Sequence, residues 1–189
     1  MRLFAAVLPP PEALDELRRA VQAVREDLAG RDDRIRWTSD AGRHFTLAFM
    51  GEVDDPVLPD LRARLARAAE RTDPFPLRLH GCGHFGDRAL WVGAAGGIDT
   101  MRMLAERADA AARRAGVPME QHRRYTAHLT LGRSHGGADL RPYLDALKGF
   151  EGSPWQVGEL SLVRSNLPTG GIPGEQPRYE VVAAWPLGR

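Results

Sequence analysis

The chain has 189 residues, with 26 Lys and Arg against 25 Asp and Glu, 43% hydrophobic and 27% charged residues, and a formal net charge of +1. That composition belongs to an ordinary globular protein large enough to bury a core without staples, and it excludes a collagen-like chain, a disordered acidic tail and a broadly basic nucleic-acid binder, so any basic patch must be local. The single cysteine, Cys82, excludes an internal disulfide and fits a reducing compartment. Pro9, Pro10 and Pro11 end the apolar run Leu3 to Leu8, which is too short for a signal peptide, and no run approaches a membrane span. We read the chain as cytoplasmic, with no membrane association and no protein partner.

Leu3 to Leu8 reads as a strand. Pro10 to Gly30 reads as a helix, because Leu14, Leu17, Val21, Val24 and Leu28 recur at spacings of three and four, and Gly30 is a C-terminal stop. Ile35 to Thr38 is a short strand, Ser39 to Gly42 a turn, and His44 to Met50 a strand closed by Gly51. Asp54 to Arg71 is a second helix. Pro76 to Phe85 and Ala89 to Val92 form a hairpin, followed by a glycine-rich linker, Gly93 to Gly97, which lacks the ending of a phosphate-cradling loop. Ile98 to Ala115 is a third helix and ends at Gly116. His128 to Arg133 is a strand, Leu140 to Phe150 a short helix, and Val157 to Arg164 and Tyr179 to Ala184 are strands. The loop between them, Ser165 to Pro177, is rich in proline and glycine and reads as a mobile surface segment.

The order is strand, helix, strands, helix, strands, and then much the same again. It predicts an α+β fold of two similar lobes within one unit, 1–189, with helices on the outer faces of the sheets and a cleft between the inner faces. One short motif occurs in each half: His44-Phe45-Thr46-Leu47 and His128-Leu129-Thr130-Leu131. A strand sends alternate side chains to opposite faces. His44 and Thr46 therefore share one face and Phe45 and Leu47 the other, and the second copy repeats the arrangement. Two imidazole-hydroxyl pairs facing each other would make a symmetric acid–base site.

Histidine titrates near neutral pH, so one ring can donate a proton while the other accepts one. Threonine hydroxyls suit the non-bridging oxygens of an anion, and arginine forks match phosphate. His80, Cys82 and His84 alternate on a strand without a second ligand cluster, so no metal site and no cofactor are expected. A phosphodiester suits this set of groups best. Two imidazoles on opposite sides of phosphorus allow in-line attack by water and protonation of the leaving oxygen. Each transfer contributes about 10²- to 10⁴-fold, which favours a strained ester such as a ribose cyclic phosphate.

The doubled motif resembles the 2H phosphoesterases, and within them the bacterial RNA 2',3'-cyclic phosphodiesterases, also known as 2'-5' RNA ligases. Trp37, Phe49-Met50-Gly51, Leu90-Trp91-Val92-Gly93, Gly132-Arg133, Glu159-Leu160-Ser161-Leu162, Ser165 and Tyr179-Glu180 extend the resemblance over essentially the whole chain. Two positions depart from the family pattern: Ala127 stands where proline is common, and Asp40-Ala41-Gly42-Arg43 replaces a Pro-Glu-Asn-hydrophobic segment. The resemblance implies a bilobal fold with two pseudo-symmetric antiparallel sheets around a central cleft. It also implies metal-independent hydrolysis of 2',3'-cyclic phosphates at RNA 3' ends, or of small cyclic nucleotides, to 2'-phosphates. It makes His44 the general acid and His128 the general base, gives phosphate binding to Thr46, Thr130 and Arg133, and gives base stacking to Phe49. Phe49 and Arg133 each lie five residues past their histidines, so they reach the cleft only where the strand ends or bulges, which Gly132 permits for Arg133.

Arg123, Arg124 and Tyr125 precede the second motif and are candidates for RNA contact. The readings that remain open beside hydrolysis are a non-catalytic RNA- or nucleotide-binding module, a 2'-5' RNA ligase, and a phosphodiesterase for another cyclic nucleotide.

Overall fold

The structure is a computed structural model that describes residues 1–29, 34–121 and 123–189. Strands β1 (Arg2–Val7), β2 (Ile35–Trp37), β3 (Phe45–Glu52), β4 (Phe75–Phe85), β5 (Ala89–Gly96), β6 (Leu129–Ser134), β7 (Trp155–Val157), β8 (Glu159–Asn166) and β9 (Arg178–Pro186) alternate with helices α1 (Pro11–Asp27), α2 (Leu58–Glu70), α3 (Ile98–Arg114) and α4 (Arg141–Leu147). Every strand pairing is antiparallel. The α+β reading is therefore what the chain adopts. No described helix is long and apolar enough to cross a membrane.

The strands form two groups. β3, β1, β8 and β9 make one; β7, β4, β5 and β6 make the other, with β2 added to β6. A single register pair, Phe45 with Leu129, joins β3 to β6 and so links the groups into one curled sheet. Each partner in that pair immediately follows a motif histidine.

The helices cover the sheet face opposite the motif hydroxyls, but they are exchanged between the groups. α1 follows β1 yet packs on α4 and β4, and α3 follows β5 yet packs on α2 and β3. Each group of strands is thus covered by a helix that follows a strand of the other group. The apolar stripes explain these helices: Leu17, Val21 and Val24 on α1, Leu61 and Leu65 on α2, and Met101, Leu104 and Ala108 on α3 are all buried. They meet Phe45, Leu47, Leu129 and Leu131 in one core. On the opposite face Phe4, Ala6 and Val163 form a small separate cluster with Tyr179 against it.

Several boundaries differ from those read in the sequence. Gly30, the expected end of the first helix, lies outside the described residues. The stretch Gly93 to Gly97 is not a linker, since β5 runs through to Gly96. Gly93 is needed in β5 because a Cβ there would come within 2.9 Å of the His80 carbonyl oxygen. The glycines allow close approach of two backbones rather than flexibility.

Candidate active site

His44 directly precedes β3 and His128 directly precedes β6. Both imidazoles line one cleft of about 400 Å³, together with Thr46, Thr130, Phe49 and Arg133. The two motifs therefore meet on one surface, as the alternation of their strands requires.

Phe49 and Arg133 reach the cleft by the same device. Along β3 the partners of Ala5 and Ala6 are Ala48 and Thr46, so Leu47 is an extra residue in the ladder. Along β6 the partners of Leu90 and Trp91 are Gly132 and Thr130, so Leu131 is the extra residue. Each bulge buries two consecutive residues, Leu47 with Ala48 and Leu131 with Gly132. It thereby returns the residue five past the histidine to the cleft face. The small residue in each pair, Ala48 or Gly132, is the local sequence signal: a Cβ at position 132 would come within 2.6 Å of the Ile35 side chain.

Each histidine is held by a carbonyl just upstream and by two aromatic rings. His128 Nδ1 lies 2.8 Å from the Thr126 carbonyl oxygen. Nδ1 therefore carries a proton and donates it, which leaves Nε2 for the cleft. Its ring stands edge-on to Phe85, centroids 4.9 Å apart, with Trp91 at 6.1 Å. The His44 ring stacks on Phe4 at 4.6 Å and meets the Tyr179 edge at 5.2 Å. Burial pushes the His44 imidazole down to about 4. Its hydrogen bond to the Ala41 carbonyl opposes that shift, and the positive charge of Arg133 and His128 adds to it. Burial thus holds His44 neutral at pH 7. Burial likewise pushes the Tyr179 phenol up.

Arg36, Trp37, His135, Arg2 and Gln176 also line the cleft. Arg36 and Trp37 enter because β2 pairs with β6, setting Arg36 opposite Arg133 across roughly a hundred residues of chain. Arg123 and Tyr125, expected near the RNA, line a different cavity with Leu47, Ala48, Glu106 and Asp109. Tyr125 points its hydroxyl into the interior, where burial raises its pKa, and Arg124 is exposed without lining the cleft. Adjacency to the second motif along the chain therefore does not bring these three residues into the histidine cleft. His122 lies outside the described residues. His80 pairs with Glu151 at 3.2 Å, Cys82 donates to the Leu144 carbonyl and His84 lies 2.7 Å from the Gly86 carbonyl. A bulge between His80 and Cys82 breaks their alternation. No group of three or more His, Cys, Asp or Glu placed to hold a metal occurs among the described residues.

The profile of the 2'-5' RNA ligase superfamily matches residues 9–168. A Thermus thermophilus protein named RNA 2',3'-cyclic phosphodiesterase is 32% identical over 200 aligned positions, covering 99% of this chain and 90% of that protein. An Aeropyrum pernix protein of the same name is 29% identical, over 85% of this chain and 93% of its own. The crystal structure of Escherichia coli LigT in apo form superposes with a TM-score of 0.76 at 24% identity, over 100% of this chain and 98% of that one, and so shares the fold. Fold, doubled motif and sequence agree: this chain belongs to the 2'-5' RNA ligase superfamily.

Proposed function

We propose that the chain hydrolyses 2',3'-cyclic phosphates at RNA 3' ends, or on nucleotides, to 2'-phosphates without a metal ion. In this reading residues 1–189 act as one bilobal unit in the cytoplasm, with one motif per lobe. The observation that supports it is the pair of His-x-Thr motifs lining one cleft, each imidazole anchored from behind by a backbone carbonyl. Relatives that cover most of the chain carry the name of this activity.

The chemistry follows from the anchoring. Thr46, Thr130 and Arg133 hold the non-bridging oxygens of the cyclic phosphate. His128 Nε2 takes a proton from water as the water oxygen bonds to phosphorus. The bond from phosphorus to the 3' oxygen breaks, and that oxygen takes its proton from His44. The product is a 2'-phosphomonoester and a free 3' hydroxyl, and both imidazoles then reset by exchange with solvent. His44 needs a proton that its burial disfavours. The anionic substrate brings the compensating charge, offsetting Arg133.

The test is turnover of a 2',3'-cyclic nucleotide and of a short RNA with a cyclic end, in EDTA, resolving 2'- from 3'-phosphate. We expect 2'-phosphate from the wild type and loss by about 10²- to 10⁴-fold in either His44→Ala or His128→Ala. No turnover, or turnover only on addition of metal, would overturn the reading. Bis(para-nitrophenyl) phosphate tests the roles, since its leaving group requires no proton: His44→Ala should retain that activity and His128→Ala should lose it. The reverse pattern would exchange acid and base.

A further inference from the structure

The cleft does not end at the histidines. A second cavity of about 640 Å³ adjoins it, and Arg2, Ser165, Leu167, Glu175 and Gln176 line both. The second cavity adds Arg164 from β8 and Arg178 from β9. Leu3 pairs with Arg164, and Arg178 with Asn166, so Arg2, Arg164 and Arg178 gather at one end of three adjacent strands. Many arginines of this chain are tied to carboxylates: Arg18 to Asp15, Arg64 to Asp60, Arg113 to Asp109, Arg141 to Asp139. Among the described residues no ion pair reaches Arg2, Arg164 or Arg178; Arg2 instead lies over the Phe49 ring at 4.7 Å. Two carboxylates share the wall, and one of them, Glu52, is held by the Met1 ammonium at 3.0 Å. The cavity therefore offers unpaired guanidiniums, whose planar forks match phosphate.

We propose that this second cavity is the subsite for the next nucleotide of an RNA chain, with Arg164 and Arg178 gripping the phosphate on the 5' side of the terminal residue. The proposal rests on the phosphodiesterase reading of the cleft. With a cyclic phosphate between the histidines, the RNA continues from the 5' oxygen of that ribose and must leave the cleft. The adjoining cavity is contiguous with it, sets three arginines against Glu52 and Glu175, and lies within the roughly 300–1,000 Å³ of ordinary small-molecule sites. A net charge of +1 on the whole chain fits a contact of one or two phosphates rather than a long footprint.

The experiment compares a cyclic mononucleotide with a trinucleotide ending in the same cyclic nucleotide, for the wild type and for the double variant Arg164→Gln/Arg178→Gln, over a range of salt. The wild type should prefer the trinucleotide by about tenfold in kcat/KM, with a salt dependence about one to two log units per log unit steeper than for the mononucleotide. The double variant should lose that preference and that excess slope while keeping mononucleotide turnover. Arg164→Lys/Arg178→Lys should restore the slope, because the charge returns. A wild type without a trinucleotide preference overturns the subsite, as does a variant that loses both substrates equally. A wild type inactive on both substrates overturns the phosphodiesterase reading itself.

Discussion

Phe45 on β3 lies opposite Leu129 on β6, and this pair joins the two halves of the sheet. Both side chains are 0% exposed. Because each follows a motif histidine, the spacing of the imidazoles is set by strand pairing over a packed core and not by loops. Leu129→Ala leaves a cavity at the seam and should cost about 2–5 kcal/mol of stability. It should also lower kcat at temperatures where the variant is still folded. Leu77→Ala on β4, equally buried but away from the cleft, should cost similar stability and leave kcat unchanged. Denaturant unfolding together with turnover separates the two effects.

The pH dependence follows from His44. Its ordinary pKa of 6.5 falls to about 4 in the folded chain, chiefly through burial. Between those values the unfolded chain binds more protons, so stability declines as pH falls through this window. The total is on the order of 3 kcal/mol. His44→Asn should flatten that decline in denaturant unfolding. Side-chain NMR should place the His44 titration near 4 in the free protein. Arg133→Met should move it upward, since a nearby positive charge is removed, and a phosphate-bearing product should do the same.

Gly83 makes room for the ring that supports His128. A Cβ at this position would collide with the Trp91 ring. Gly83→Ala therefore has to displace Trp91, which stands behind the imidazole. Turnover should fall by up to about 10²-fold, the loss that a displacement of about 1 Å can produce, with KM little changed. Trp91 fluorescence should shift in the same variant. Gly149→Ala, where nothing lies within 4 Å of the added Cβ, is the control and should do neither.

The loop between β8 and β9 is tied across the cleft rather than free. Gln176 Nε2 donates to the Trp37 carbonyl at 2.9 Å, and its Oε1 accepts from the Ser39 amide at 2.9 Å. One side chain thus bridges segments of the chain well over a hundred residues apart. Gln176→Ala removes two hydrogen bonds of about 1 kcal/mol each. Hydrogen exchange should accelerate at the Ser39 amide, and KM should rise more than kcat falls, because the cleft wall loosens while the histidines keep their own anchors.

Strand and helix periods, the break after β1 at the prolines and the doubled His-x-Thr were all legible in the sequence. They depend on alternation along a strand and on spacing along a helix, which the chain imposes on near neighbours. The same alternation placed His44 with Thr46 and His128 with Thr130 on a cleft face. It left open whether β3 bulges to bring Phe49 round, because a bulge is a relation between two strands, although Ala48 and Gly132 mark its place. Arg123 and Tyr125 line a cavity other than the histidine cleft for a related reason: where the approach to β6 lies is set by packing, and nothing local says so. Tertiary structure alone decided the rest. It set Phe4 and Tyr179 against one imidazole and Phe85 and Trp91 against the other, brought Arg36 to Arg133 through β2, and exchanged α1 and α3 between the halves. Each of these depends on register or packing between distant segments, where the free energy comes from burying surfaces together and no residue's immediate neighbours record the partner.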